Sequence, residues 1–513
     1  MTDWTSGYVT EIGYTHGYYA ELKPLLMRQA LVCQGVRHRW GGKLRYLELG
    51  FGQGLSLNIH AAATGGEFWG CDFNPTQAAN AQELATASGA NVTVLDASFE
   101  ELALRTDLPA FDVIALHGIW SWISDVNRRH IVEIARRHLA VGGVFYVSYN
   151  TTPGWSPAMP LRHLMTLHTE FVSGKASGLE TRIDAALGFA QSLADSNAAY
   201  FQANPALAER LKKIKSQPRN YVAHEYFNAD WHPMAFSDMA EHLSEAKLSF
   251  AASVHLLDHI DAINLTPDQQ KLLQAQSHPV LRESVRDYLV NQQFRRDLWV
   301  KGPRPMSPLV QAELAQSQSY VLATTREAIP LKVQGLLGEV ELQSAVYNPL
   351  LDALAAKGYV AKTLAELRTL LTDLSPQQVA EGLLILSGMG RVLPAQTPEA
   401  TRAAKPACDR LNTHLMKQAM HSGDVAYLAS PVAGGGIGVN RFQQLFLKSL
   451  NAGKKSPAEW VQETWNIIAA QGQRLTKDGK IMAAPDENVA ELTTQALEFE
   501  AKGLPILRAL QVA

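Results

Sequence analysis

The chain has 513 residues, 46% of them hydrophobic and 19% charged, with a formal net charge of −3. That length exceeds one core and predicts roughly two to four domains, while the near-neutral balance lacks the basic signature of a nucleic-acid groove. Three widely spaced cysteines, Cys33, Cys71 and Cys408, suggest neither a disulfide framework nor a zinc site. No stretch reaches the roughly 20 apolar residues of a membrane span, and residues 1–13 are polar, without the apolar core of a signal peptide. A reduced, cytoplasmic enzyme is the expectation.

Residues 1–42 precede the first strand. Tyr8, Tyr14, Tyr18 and Tyr19 cluster ahead of a helix expected over residues 22–35. They allow two readings: packing of that helix on a sheet, or an aromatic lid that closes over a ligand and sheds water. Residues 46–50 then form a short apolar strand that runs into Gly50-Phe51-Gly52-Gln53-Gly54, with a helix expected over residues 55–63. A helix N-terminus attracts anionic or electron-rich ligands, and glycine lets the backbone approach them closely. The glycines fall as G-x-G-x-G, with Glu48 two residues ahead of the first, not as the dinucleotide G-x-G-x-x-G.

A second strand, residues 67–72, ends in Asp72, twenty-two residues after Gly50 (72 − 50). An acid at that place can accept hydrogen bonds from ribose hydroxyls. A third, residues 91–96, ends in Asp96 and is followed by Ala97 and Ser98. The fourth, residues 111–116, leads into His117-Gly-Ile-Trp120-Ser-Trp122, and a helix over residues 127–139 has Asp125 as its expected cap. The fifth, residues 142–149, leads into Asn150-Thr-Thr-Pro-Gly-Trp155. The alternation predicts a parallel sheet with helices on both faces and a ligand beyond the strands' carboxyl ends. The loops after strands four and five are where a second substrate should sit, with Trp120, Trp122, Tyr149 and Trp155 as its aromatic wall, unless some of them are core.

Helices are expected over residues 161–172 and 183–203, as a roof on that pocket, followed by His224, Glu225 and Tyr226 and a helix over residues 234–246. Strands at residues 248–254 and 297–301 bring the sheet to seven. A proline-rich stretch, residues 302–308, reads as a boundary, so truncation near Pro305 should leave the ligand site intact. Beyond it, helices at residues 347–356, 364–371 and 376–387 and a strand at residues 390–394 suggest a winged-helix-like module. Nothing there is strongly basic, which favours a protein-interaction or structural role over DNA binding. Residues 395–405 read as a linker, and residues 406–513 as helical, interrupted by a flexible glycine loop at residues 434–438. The expected units are residues 1–42, 43–155, 156–305, 306–400 and 401–513.

The glycine spacing with its preceding acid resembles class I S-adenosylmethionine (SAM) methyltransferases. HGIWSWI after strand four, SYNTTPGW after strand five, YVAHEYF at residues 221–227 and FRRDLWV at residues 294–300 are similar to bacterial methyltransferases that carry a methyltransferase regulatory domain. That group includes the protein-lysine methyltransferases of rickettsial outer-membrane proteins. The resemblance, over residues 5–305, implies an α/β, Rossmann-like seven-stranded sheet with a helical insertion, to which the sequence pattern adds a mainly helical C-terminal region. It implies SAM as cofactor and S-adenosylhomocysteine as product. The cofactor would be held by Tyr14, Tyr18, Glu48, Gly50, Gly52, Gly54, Asp72, Phe73, Asp96, Ala97, Ser98 and His117. The catalytic and acceptor-side residues would be His117, Trp120, Tyr149, Asn150, Trp155, His224 and Glu225, with no metal. His117, alone at its strand end, reads more readily as an orienting group than as a base. The expected partner is a methyl acceptor, a protein lysine first. A small molecule or cell-surface sugar is the alternative, as is a catalytically quiet SAM-binding regulator.

Overall fold

The computed structural model describes residues 16–40, 43–172, 178–477 and 479–513; Tyr8 and Tyr14 lie outside them. A helix, α1 (Pro24–Cys33), precedes an alternating run: β1 (Arg45–Leu49), α2 (Leu55–Thr64), β2 (Glu67–Asp72), α3 (Pro75–Ser88), β3 (Val92–Asp96), α4 (Phe99–Leu104), β4 (Phe111–Leu116), α5 (Asp125–His138) and β5 (Leu139–Asn150). Next come α6 (Thr152–Trp155), α7 (Met159–Phe171), α8 (Leu179–Asp195), α9 (Ala199–Ala203), α10 (Ala206–Lys215), α11 (Arg219–Tyr226) and α12 (Phe236–Ser244). The sheet then resumes with β6 (Leu248–Ser253), α13 (Asp261–Asn264), α14 (Pro267–Gln274), α15 (Pro279–Leu289) and β7 (Phe294–Lys301). The seven strands stand in the order β3-β2-β1-β4-β5-β7-β6, with β7 antiparallel to both neighbours and the other neighbouring strands parallel.

Alternation along the strands sorts their side chains to two cores. Tyr46, Val113, Ala115, Val144 and Tyr146 pack under α1, α2 and α3. Leu47, Leu49, Ile114, Leu116, Phe145 and Val147 pack under α5 and α12. Local chemistry places the helices. Asn74 accepts from the Thr76 N–H at 3.0 Å and starts α3 with Pro75 at its first position, and Ser98 and Glu101 form a capping box on α4. For α5 the cap is Ser124, which accepts from the Asn127 N–H at 3.3 Å; Asp125, the expected cap, lies one residue inside the helix. The single helix expected over residues 183–203 is two, α8 and α9. Asn197 between them takes a left-handed φ of 59°, which a helix interior excludes.

After β7 the chain forms α16 (Pro308–Ser317), β8 (Ser319–Leu322), a hairpin of β9 (Lys332–Gly335) and β10 (Gly338–Glu341), α17 (Ser344–Tyr359), β11 (Lys362–Thr363), α18 (Leu364–Leu370), α19 (Pro376–Gly388) and β12 (Val392–Ala395). Helices α17, α18 and α19 accompany a sheet in the order β11-β8-β12; β12, after α19, returns to β8, which precedes those three helices. The remainder is α20 (Pro398–Gln418), a hairpin of β13 (Tyr427–Ser430) and β14 (Gly435–Gly438), α21 (Arg441–Asn451), α22 (Pro457–Ala470), α23 (Pro485–Glu498) and α24 (Leu504–Ala509).

Two sequence expectations fail in this region. The linker at residues 395–405 is mostly the first turns of α20, capped by Thr397, whose hydroxyl accepts from the Ala400 N–H at 3.3 Å. The glycine loop at residues 434–438 is largely a strand. Gly436 gives its N–H to the Tyr18 hydroxyl at 2.7 Å, and a Cβ there would come within 2.8 Å of the Tyr18 ring, so Gly435 and Gly436 are glycine where an aromatic residue lies on the strand. Helix α2 is covered on two sides as a result. Leu57 and Ala61 face the sheet core, while Leu55, Ile59, Ala62 and Ala63 share a core with Cys408, Leu411, Leu415, Ala433 and Ile437.

Candidate active site

One cavity of about 440 Å³ opens at the carboxyl edge of the sheet. In strand order, its wall takes Ala97, Ser98 and Phe99 from beyond β3, Phe73 from beyond β2, and Gly50, Phe51 and Gly52 from beyond β1. It continues with His117, Gly118 and Ile119 from beyond β4, Asn150 at the end of β5, and Phe294 at the start of β7. Trp155, Tyr221 and Glu225 from the helical insertion complete the β5–β7 end.

The glycine turn has the shape its sequence demands. Gly50, Gly52 and Gly54 have φ of 71°, 58° and 73°. At Gly50 a Cβ would also meet Ile119 Cδ1 at 2.9 Å, and at Gly54, the residue before α2, it would overlap Ala81. Asp72 braces this turn: it is buried and accepts from the Gly52 N–H at 2.9 Å and the Asn74 N–H at 3.0 Å. The Gln77 amide, nitrogen toward the carboxylate, donates at 3.1 and 3.3 Å. Burial pushes Asp72 up to about 6 against the pull of those backbone bonds, and the charge of Asp96 adds to the rise. Glu48 is 3% exposed, and one of its carboxylate oxygens has no partner. Burial, then the charge of Asp72, pushes it up to about 8.

Two buried carboxylates thus face a cavity whose described lining contains no lysine or arginine. Such a wall is electrostatically incomplete. It fits a ligand that brings its own positive charge and hydroxyl donors, and SAM, with an ammonium, a sulfonium and a ribose diol, is one. His117 marks the middle of the wall. Its Nδ1 lies 2.8 Å from the Tyr146 hydroxyl, and its ring centroid lies 4.2 Å from that of Tyr19. Burial pushes the imidazole down to about 4, so it is neutral at pH 7, a hydrogen-bonding group and not a cation.

Of the residues expected from the sequence, Glu48, Gly50, Gly52, Asp72, Phe73, Ala97, Ser98, His117, Asn150, Trp155 and Glu225 line this cavity. Tyr14 lies outside the described residues. Six others are not on the lining. Tyr18 is turned to the C-terminal region, its hydroxyl 3.0 Å from His60 Nε2, and Tyr19 takes the cavity side in its place. Gly54 packs on α3, and the Asp96 side chain points to solvent. Trp120 is fully buried and gives its indole N–H to Met234 Sδ at 3.2 Å. Tyr149 donates to Asp297 Oδ2 at 2.9 Å, and His224 is 3% exposed within the insertion. Of the four aromatic residues expected to wall the pocket, Trp120 and Tyr149 are core, while Trp122 and Trp155 line the cavity. The sequence reading missed Gln77, Ile119, Tyr221, Gln293 and Phe294. Phe294 opens the FRRDLWV motif and Tyr221 opens YVAHEYF, so both were within reach; Gln77 and Gln293 carried no signal.

Trp120→Ala is accordingly expected to act through stability. Emptying a fully buried indole site costs about 3–5 kcal/mol, so thermal unfolding should show a clear loss of Tm, with any loss of activity at low temperature much smaller than that produced by a change at the cavity wall.

This fold and cavity define a SAM-dependent methyltransferase of class I. Residues 47–143 match the methyltransferase domain family and residues 218–301 match the predicted methyltransferase regulatory domain. An uncharacterized protein of Synechocystis is 37% identical over 515 residues, 99% of this chain and 100% of that one. An uncharacterized protein of Rickettsia prowazekii is 26% identical over 56% of this chain and 51% of its own length. Among solved structures, PKMT2 of Rickettsia typhi in complex with AdoHcy is 20% identical, with a TM-score of 0.69 over 94% of this chain and 98% of that one. The chain belongs to the class I SAM-dependent methyltransferases that carry a methyltransferase regulatory domain, and SAM is its cofactor.

Proposed function

We propose that the methyl acceptor is the side-chain amine of a protein lysine. The observation that carries this is Glu225, which lines the cavity among Trp155, Tyr221 and Phe294 and is pushed up by burial to about 7. Sheet order separates this group from the glycine turn: β1 and β2 hold the turn and Asp72, β4 and His117 stand between, and β5 and β7 underlie Asn150 and Phe294. One carboxylate among aromatic faces is a receptor for an ammonium. The rest of the wall is fixed: Arg210 stacks 4.1 Å from the Trp155 ring centroid and donates to Gln293 Oε1 at 3.0 Å. The fold likeness to PKMT2, a rickettsial protein lysine methyltransferase, supports the same reading.

Bound SAM supplies an activated methyl group on a cationic sulfur. Asp72 would accept from its ribose hydroxyls and Glu48 from its ammonium, which relieves the two carboxylates that burial disfavours. The aromatic end excludes water from the acceptor. An ammonium has no lone pair, so the acceptor must lose a proton before it attacks; Glu225, ionised above its midpoint near 7, takes that proton at its carboxylate. Gain beyond this comes from position, since an amine held in line needs little further chemistry.

Incubation with radiolabelled SAM and a cell extract tests the reading. Label is expected in the protein fraction and, after hydrolysis, in methylated lysine. Label confined to small molecules or to sugar would overturn the lysine assignment while leaving the methyltransferase intact.

A further inference from the structure

The edge of the sheet opposite the active site, where β5 begins and β7 ends, carries a second cavity, of about 480 Å³. Its lining has two chemistries: the cationic or basic Arg37, His38, Arg39 and Arg304, and aliphatic side chains such as Val141 and Leu314. The backbone forces the arginines together. Val36 and Pro305 form an antiparallel bridge, in which Arg37 gives its N–H to the Arg304 carbonyl at 2.9 Å and Met306 gives its N–H to the Gly35 carbonyl at 2.7 Å. Only Arg39 of the three has a carboxylate partner among the described residues, Asp112 at 3.2 Å. Like charges gathered around a hollow repel one another unless an anion joins them.

The other features fit an anion that also has an apolar part. His38 Nδ1 is buried without a partner, and burial, with the charge of Arg28, pushes that imidazole down to about 4, so it serves as a neutral hydrogen-bonding group. Val141 is 74% exposed although it lines the cavity, an apolar tip beside a group of cations. Guanidinium forks match phosphate oxygens in pairs.

We propose that this cavity binds a phosphate ester with an apolar portion, its phosphate held by Arg37 and Arg304 and its apolar part against Val141 and Leu314. The ester can be a free metabolite or the headgroup of an anionic lipid, and in the second case the exposed Val141 enters the bilayer surface. This does not depend on what the methyl acceptor is.

The full-length protein is titrated with inorganic pyrophosphate by calorimetry and cosedimented with phosphatidylglycerol and with phosphatidylcholine vesicles. The same is done with the Arg37→Ala/Arg304→Ala double variant, and SAM binding reports on folding. The parent should bind at least one phosphate probe, and the double variant should lose about tenfold or more in affinity while still binding SAM. Pyrophosphate binding without a preference between vesicles assigns a free phosphate ligand; preference for phosphatidylglycerol, lost in the variant, assigns a lipid. If the alanine pair fails to bind SAM, Arg37→Lys/Arg304→Lys decides, because it keeps the charge and removes the fork: weaker probe binding supports the site. The proposal is overturned if the parent binds neither probe, or if the substituted protein that still binds SAM binds the probe as the parent does.

Discussion

A chain ended at Pro305 will not bind SAM and will be recovered aggregated or unfolded. The proline-rich stretch at residues 302–308 suggests the opposite, since the seven-stranded sheet is complete at Lys301. The packing of α2 decides the matter. Every residue from Leu55 to Ala63 is buried, and Leu55, Ile59 and Leu84 lie in one core with α20 and the β13–β14 hairpin. Exposing three such side chains costs roughly 5–9 kcal/mol, comparable to the whole stability of an ordinary domain, roughly 5–15 kcal/mol. Polar contacts follow the same seam. Gln396 donates to the Ala63 carbonyl at 2.7 Å and Arg410 to the Ser88 carbonyl at 2.8 Å, which satisfies the ends of α2 and α3, the two helices that frame the glycine turn. Solubility, circular dichroism and calorimetric titration of the truncated chain would check this. A soluble product with SAM affinity within a few-fold of the parent would show that the α2 face tolerates water.

How much of this was legible in the sequence follows from what each feature depends on. The sheet was legible because its strands announce themselves locally: β2 and β4 span residues 67–72 and 111–116, the bounds expected from their own residues. The glycine turn was legible because left-handed φ at three alternate positions leaves little choice of residue. What failed depended on neighbours distant in sequence. The glycines at residues 434–438 read as a loop because Tyr18, which lies on Gly435 and Gly436, is 418 residues from Gly436. Trp120 reads as a pocket wall from its place after β4, yet Met234 and α12 turn it into core. Trp155, in the corresponding loop after β5, reaches the cavity because Arg210 and Tyr226 of the insertion hold it there. Strand-end position says which loops face a ligand; it does not say which side chains in those loops turn inward.

Glu225→Gln should lower methyl transfer by about 10²-fold, the range of a lost acid–base group, and leave SAM affinity within a few-fold of the parent. The carboxylates proposed to meet SAM, Glu48 and Asp72, stand on β1 and β2, and Glu225 reaches the cavity from α11 at the other end of the sheet. The pH dependence is the sharper readout. Transfer by the parent should rise as Glu225 ionises, through a limb centred near pH 7, and that limb should vanish in the glutamine variant. Stability should move the other way. Because burial raises this carboxyl above its unfolded value, the unfolded chain gives up the proton first, and the folded state loses stability as pH climbs from about 4.5 toward 7. The glutamine variant escapes that loss, so above pH 7 it should be more stable than the parent by on the order of 1–3 kcal/mol, although it is much less active. A variant that is both slower and less stable would mean that Glu225 serves the packing of α11 and not the acceptor. A variant that keeps the parent's rate and its pH limb would place the proton acceptor elsewhere on the wall.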